Sequence, residues 1–310
     1  MVGIHVPQVA GTLPDYAQLV RRLEAAGYDR IWVGEVNDVD AVTTATLAAA
    51  ATMHAKLGVF VNVYTRAPSV LAMTANALAH LAPGRVQIVL GTGSALFVEG
   101  WNGIPYERQH AKLRDTLQFL RAALSGQRVD HAFPTIAGHG FALASAPAAT
   151  PSLLVAATGP RALELAAGQA DGVALNWITP GDLQRIHPLP ANPGSVTLVV
   201  PICPTPDRAQ MERTMRPVLA TYLAVPGYAQ QQRSLGRGTQ LERLWQASAD
   251  RDAAAARGAI PDEILDEFVV WGSPTHCRDV LSDIETTTGA SVVAIVFPPP
   301  GSTFEDCVLT

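Results

Sequence analysis

Val86-Gln87-Ile88-Val89-Leu90 runs unbroken into Gly91-Thr92-Gly93-Ser94. An apolar run with little polar alternation is the form of a strand covered on both faces, as in a parallel sheet. The glycines that follow allow a sharp turn and leave backbone N–H groups open to an anion. A phosphate-bearing ligand and a plain tight turn both suit that string. It lacks the third glycine of a dinucleotide fingerprint and follows the fourth such run rather than the first, so a Rossmann domain is disfavoured.

Working outward, the same kind of run recurs at Gly3 to Val6, Arg30 to Val33, Leu57 to Val61, Leu153 to Ala156, Gly172 to Leu175, Val196 to Val200 and Val292 to Phe297. Helical periodicity fills the gaps between them. Tyr16, Leu19, Val20 and Leu23 fall on one face between Pro14 and Gly27, while Leu113, Leu117, Leu120 and Leu124 form a second stripe. Cys277, Val280, Leu281 and Ile284 form a third, behind Ser273-Pro274 and ending near Gly289. With the fourth run this makes eight βα units, which predict an α/β fold closed into a (β/α)8 TIM barrel with functional groups at the C-terminal ends of its strands. One domain is expected to span residues 1–310. Two insertions, Arg128 to Ala149 and Leu223 to Ala259, are expected to shape the opening at the C-terminal face.

Composition narrows the function. With 310 residues, 48% hydrophobic and 16% charged, the chain has the means to bury a large core. A net charge of -5 without any basic run gives no sign of a nucleic-acid footprint or an anionic-membrane patch, which favours a small-molecule partner. Met1 leads straight into the first apolar run, so neither export signal nor anchor is read and a cytoplasmic location is expected. Cys203, Cys277 and Cys307 are odd in number and far apart, the pattern of buried thiols rather than of a disulfide framework or a zinc site. His131 and His139 have no carboxylate or cysteine at ligand spacing, so no metal is expected.

Position on the barrel then selects candidates. Glu35 follows the second strand, the Val59 to Arg66 segment leaves the third, and Ala156-Ala157-Thr158-Gly159-Pro160 follows the fifth. In the last of these, glycine makes the turn and proline suits the first helical position, leaving the N–H groups of a new helix for an anion. His5, at the end of the first strand, and Trp177, beyond the sixth, are candidates to line a substrate pocket. The bland alternative for each is a residue that closes the barrel rim.

Taken together, Leu57 to Pro68, Pro83-Gly84-Arg85 before Gly91-Thr92-Gly93, Ala156 to Pro160 and Ala170-Asp171-Gly172 resemble the bacterial luciferase-like family. Within it the chain resembles the branch that uses the deazaflavin coenzyme F-420, from Gly3 to about Thr179 and again at Trp271 to Pro274. The resemblance implies a ring over the barrel mouth, with its phosphate and tail held by Thr92, Gly93 and Ser94 and by Ala157, Thr158 and Gly159. It places Val59, Phe60, Val61 and Asn62 behind the ring, with a non-prolyl cis peptide near Val59-Phe60. Glu35 is then a candidate to hydrogen-bond the ring or relay a proton, the alternative being a surface or capping role, and Arg66 and Arg161 are candidates for the coenzyme's acidic tail, the alternative being solvated side chains.

Two departures bear on the substrate. Where the deazaflavin enzymes often carry an Asp-His pair, this chain has Glu35-Val36, and where the sugar-phosphate dehydrogenases of the branch have an acid it has Ser94. Its only lysines, Lys56 and Lys112, are poorly placed to clamp a substrate phosphate. The resemblance thus implies an F-420-dependent oxidoreductase moving a hydride to or from a small organic molecule, and a homodimer. The alternatives are an FMN-dependent monooxygenase of the same fold and a non-catalytic flavin- or deazaflavin-binding barrel.

Overall fold

Strand positions follow the apolar runs closely. In the computed structural model, which describes residues 2–7 and 11–309, these are β1 (Gly3–His5), β2 (Arg30–Gly34), β3 (Lys56–Asn62), β4 (Val86–Gly91), β5 (Ser152–Ala156), β6 (Gly172–Asn176), β7 (Val196–Cys203), β8 (Val270–Trp271) and β9 (Ser291–Val296). All eight positions of β7 are buried, as a strand covered on both faces requires. Hydrogen-bonded neighbours run β6-β5-β4-β3-β2-β1-β9-β7, and a further pairing of β6 with β7 joins the two ends of that series. This is the connectivity of the expected (β/α)8 barrel. β8, which no sequence signal marks, pairs with Ile202 and Cys203 at the end of β7.

The helices are α1 (Leu13–Ala25), α2 (Ala41–Ala51), α3 (Pro68–Leu81), α4 (Gln109–Leu124), α5 (Pro160–Gln169), α6 (Arg208–Leu223), α7 (Pro226–Ser234), α8 (Gly238–Ala249), α9 (Ala253–Gly258), α10 (Asp262–Phe268), α11 (Pro274–Thr288) and α12 (Phe304–Val308). α1 begins on a capping box, in which Thr12 and Asp15 satisfy each other's backbone N–H, and buries Tyr16, Leu19, Val20 and Leu23. α4 buries its four-leucine stripe. α11 stops at Gly289, whose φ of 70° suits a residue without a Cβ.

The chain forms two compact units. One comprises His5–Ala156 and Glu164–Val173, and the other the chain up to Ile4, Ala157–Leu163 and everything from Ala174 onward. In the first, Trp32, Tyr16, Ile31, Leu57, Ile88 and Leu90 are among the largest fully buried side chains. The Arg128 to Ala149 segment belongs to it and lies along α4, with Phe133 and Phe141 against Phe119 and the Thr135 N–H and hydroxyl both donated to Asp115. In the second, Met211, Met215, Leu219, Leu241, Leu244 and Ile264 form a fully buried core. Its stretch from Leu223 to Ala259 is helical, as its periodicity predicts.

Cys203, Cys277 and Cys307 are buried free thiols. Among the described residues no helix is long and apolar enough to cross a membrane, and no group of three His, Cys, Asp or Glu side chains is placed to hold a metal ion.

Candidate functional site

The ends of β2, β3 and β4 are tied together by side chains from the loops that follow them. Glu35, one residue past β2, accepts the Asn62 backbone N–H on Oε2 at 2.7 Å, and its Oε1 accepts Arg66 Nε. The same guanidinium donates through Nη2 to Asp40, whose other oxygen accepts the Thr43 N–H at 2.8 Å and caps α2. Burial works against the Asp40 carboxylate, yet the Thr43 and Arg66 hydrogen bonds hold its pKa below the ordinary value. Burial likewise opposes the Arg66 charge, and Glu35 and Asp40 together hold its pKa up. Glu35 is therefore an occupied carboxylate, 11% exposed, between a backbone donor and an arginine. Arg66, expected on the coenzyme's acidic tail, has two carboxylates as partners.

Asn62 carries the link onward. It is buried, its Oδ1 accepts the Tyr64 N–H at 2.8 Å, and its Nδ2 donates to the Thr92 carbonyl at 3.3 Å. Tyr106 donates its hydroxyl to the next carbonyl, that of Gly93, at 2.8 Å. Both carbonyls of the turn thus face protein donors. Among the described residues no acceptor meets the N–H groups of Thr92, Gly93 or Ser94. Gly93 has a φ of 67° and lies against Asn62 Nδ2, where a Cβ would overlap it. A left-handed residue in such a turn directs successive N–H groups to one side, which is how main chain binds an anion. Tyr64 packs beside Tyr106 at 5.4 Å and donates its own hydroxyl to the Glu107 carbonyl, bracing the latch. A π-helix, Leu96–Gly100, follows the turn directly.

β3 departs from the expectation at Val59-Phe60. Among the described residues the one cis peptide bond is His187-Pro188, so Val59-Phe60 is trans. The physical reason is visible in the register, since Val59 and Phe60 sit opposite Val33 and Gly34 on one side and Ile88 and Val89 on the other. A strand paired continuously on both edges leaves no room for a bulge at that bond. Val59 and Val61 are core residues, while Phe60, on the alternate face with Asn62, is half-buried edge-on to Trp32. His5 lies beside Gly34, where a Cβ would stand 3.2 Å from its Nε2 and 3.5 Å from the Phe60 Cβ. Burial pushes the His5 imidazole down to about 4, so it is neutral at physiological pH.

In the other unit, Ala157 is buried and donates its N–H to the Ala174 carbonyl at 3.1 Å. Thr158 and Gly159 are half-buried, and the Gly159 carbonyl accepts the Ala162 and Leu163 N–H groups as Pro160 opens α5. The N–H groups of Thr158 and Gly159 meet no acceptor among the described residues. Trp177 is 5% exposed and packs in the core of this unit. Arg161 is exposed, and His131 and His139 lie on the surface of the Arg128 to Ala149 segment. Sequence reasoning missed Tyr106 and Asp40. Asp40 carried a signal, an aspartate one residue before an alanine-rich helix, whereas nothing in the residues around Tyr106 announces a latch.

Comparison with known proteins agrees with this architecture. The luciferase-like monooxygenase family matches residues 2–291. A 5,10-methylenetetrahydromethanopterin reductase of Methanolobus tindarius is 25% identical over 293 residues, covering 90% of this chain and 88% of its own. The coenzyme F-420-dependent tetrahydromethanopterin reductase of Methanopyrus kandleri shares the fold with a TM-score of 0.77 at 20% identity, over 99% of this chain and 96% of its own. The FMN-bound oxygenating constituent of a diketocamphane monooxygenase from Pseudomonas putida does so with a TM-score of 0.63 at 14% identity, over 96% and 92%. With nearly the whole chain matched, this protein belongs to the luciferase-like monooxygenase family.

Proposed function

We propose that the protein is an oxidoreductase that uses coenzyme F-420 on a small organic substrate. The observation that carries this reading is the polarity of the turn after β4: its carbonyls are taken by Asn62 and Tyr106, and its N–H groups are left for an anion such as the coenzyme's phosphate. When bound, a deazaflavin supplies hydride transfer, because carbon replaces the flavin nitrogen that activates oxygen. The protein's own part is to bind, orient and exclude water.

Glu35 is assigned to positioning. With one oxygen on the Asn62 N–H and the other on Arg66, it fixes the end of β3 and, through Asn62, the turn that holds the anion. A homodimer through α2 and α3 is part of the reading, and the exposed apolar side chains Val70, Met73 and Leu81 on α3 and Met53 just past α2 support it.

A fluorescence titration with F-420, run beside one with FMN, tests the coenzyme assignment. Saturable binding of F-420 is expected; tight FMN binding without it reverses the assignment to a flavin monooxygenase. Turnover of reduced or oxidised coenzyme over a panel of small carbonyls and alcohols separates enzyme from carrier, and rates no greater than those of free coenzyme would sink the catalytic reading.

A further inference from the structure

Trp177 directly follows β6 with a φ of 55°, a left-handed conformation that bulky side chains seldom adopt and that persists where surroundings over-determine it. Three contacts do so. Its carbonyl accepts Gln232 Nε2 at 2.7 Å, its indole stacks on Tyr222 with centroids 4.5 Å apart, and Tyr228 meets it edge-on at 6.4 Å. Gln232 is wholly buried, and its Oε1 accepts Arg237 Nη1 at 3.1 Å. Arg237, also buried, donates to Asp182 at 3.0 Å, and Asp182 in turn accepts the Thr179 N–H at 2.8 Å. A buried ion pair contributes little net stability after desolvation. Here it fixes where α7 stands over the turn that carries Trp177.

Beside this aromatic group lies an unmet polar atom. Asn176, the last residue of β6, has its Oδ1 buried without a partner, while its side-chain amide meets the Tyr228 hydroxyl. An orphaned buried acceptor costs its full desolvation penalty unless a ligand donor or water meets it. Tyr222 and Tyr228 are partly exposed and border the core in which Trp177 is buried. Gly227, next to Tyr228, stands where a Cβ would be 3.6 Å from Thr158 Oγ1, which brings the rings up to the turn after β5. The chain's only lysines belong to the other unit, Arg237 is engaged by carboxylates, and Arg233 lies 3.8 Å over the Trp245 ring.

We infer that Trp177, Tyr222 and Tyr228 form the substrate wall, with Asn176 Oδ1 as its acceptor, and that the substrate is a flat conjugated molecule carrying a hydroxyl or amine donor. Offset stacking supplies the apolar part of recognition, and the single acceptor sets orientation. The assignment rests on the oxidoreductase reading for the word substrate only, since binding to the wall needs no coenzyme.

Calorimetric titration of the full-length protein with 2-naphthol tests it, with 2-methoxynaphthalene as the ligand that lacks the donor. Saturable 2-naphthol binding is expected, at least tenfold tighter than the ether, and at least tenfold weaker in Tyr222→Leu. Asn176→Leu should bring 2-naphthol down to the affinity of the ether. If that variant does not fold, the two ligands compared on the unaltered protein still decide the point. Equal affinities for the two ligands, no saturable 2-naphthol binding, or an unchanged affinity in Tyr222→Leu would each overturn the wall. F-420 titrated separately into the same protein keeps the two ideas apart, because loss of coenzyme binding alongside ring-dependent 2-naphthol binding defeats the coenzyme reading and leaves this one standing.

Discussion

Glu35 accepts the backbone N–H of Asn62 at 2.7 Å, which makes the end of β2 the support for the end of β3. Since Asn62 then holds the Thr92 carbonyl, the carboxylate acts on the turn after β4 through one intermediate residue. Residues 27 and 30 positions apart in sequence thus form a single chain of hydrogen bonds.

Replacing Glu35 by alanine removes an acceptor from a buried N–H and one of two partners from Arg66. A loss of about 1–3 kcal/mol in unfolding free energy is expected, the range for unsatisfied buried donors. Urea denaturation measures it. A variant of unchanged stability whose turnover falls a hundredfold or more would instead mark Glu35 as a proton relay.

Tyr106 latches the Gly93 carbonyl with its hydroxyl alone, so Tyr106→Phe keeps the ring against Tyr64 and deletes the bond. Coenzyme affinity should fall by roughly 2- to 12-fold, the equivalent of about 0.5–1.5 kcal/mol for one hydrogen bond. The F-420 titration reads this directly, and an unchanged dissociation constant would count against the turn as the anion site.

Gly58 lies directly opposite Trp32, whose indole occupies the space a Cβ would need. Trp32 is fully buried and has Phe60 edge-on beside it at 5.1 Å, so it has little freedom to retreat. Gly58→Ala should destabilise the protein by about 1–3 kcal/mol, the usual cost of overpacking. Gly168→Ala, in α5 with open space around it, should stabilise by roughly 0.5–1 kcal/mol. Thermal melts of the two variants should therefore move in opposite directions.

His5 contributes a pH dependence. Its folded pKa of about 4 lies below the unfolded value of about 6.5, so between these limits the unfolded chain binds the extra proton. The His5 contribution is complete above about pH 6.5 and is lost as pH falls toward 4. His5→Gln should flatten the dependence of the urea midpoint on pH across that window. An equally steep curve in the variant would show that other groups set it.

The strands were legible because their signals are local. Apolar runs such as Val86–Leu90 and Val196–Val200, with Pro and Gly between them, mark a buried parallel strand whatever its neighbours are. α1, α4 and α11 were legible for the same reason, through apolar spacing and end signals such as Gly289. β8 was not, because two residues carry no periodicity and only the pairing with Ile202 and Cys203 makes Val270–Trp271 a strand.

At the site the division is sharper. Glu35, Asn62 and the Thr92–Ser94 turn could be marked as candidates from their place after strands, but their partners could not. Hydrogen bonding of Glu35 to Asn62 and Arg66, of Tyr106 to Gly93 and of Gln232 to Trp177 depends on which chain segments are brought within about 3 Å, a distance that no spacing along the chain encodes. The trans geometry at Val59-Phe60 was also decided by neighbours, through continuous pairing to β2 and β4. Hydrophobic periodicity and turn chemistry are properties of short stretches, so the sequence alone determined the barrel and the order of its loops. Polar pairing is a contest among groups distant along the chain, settled by packing, so the tertiary structure alone decided which carboxylate is occupied, which carbonyls turn inward and which N–H groups are left for a ligand.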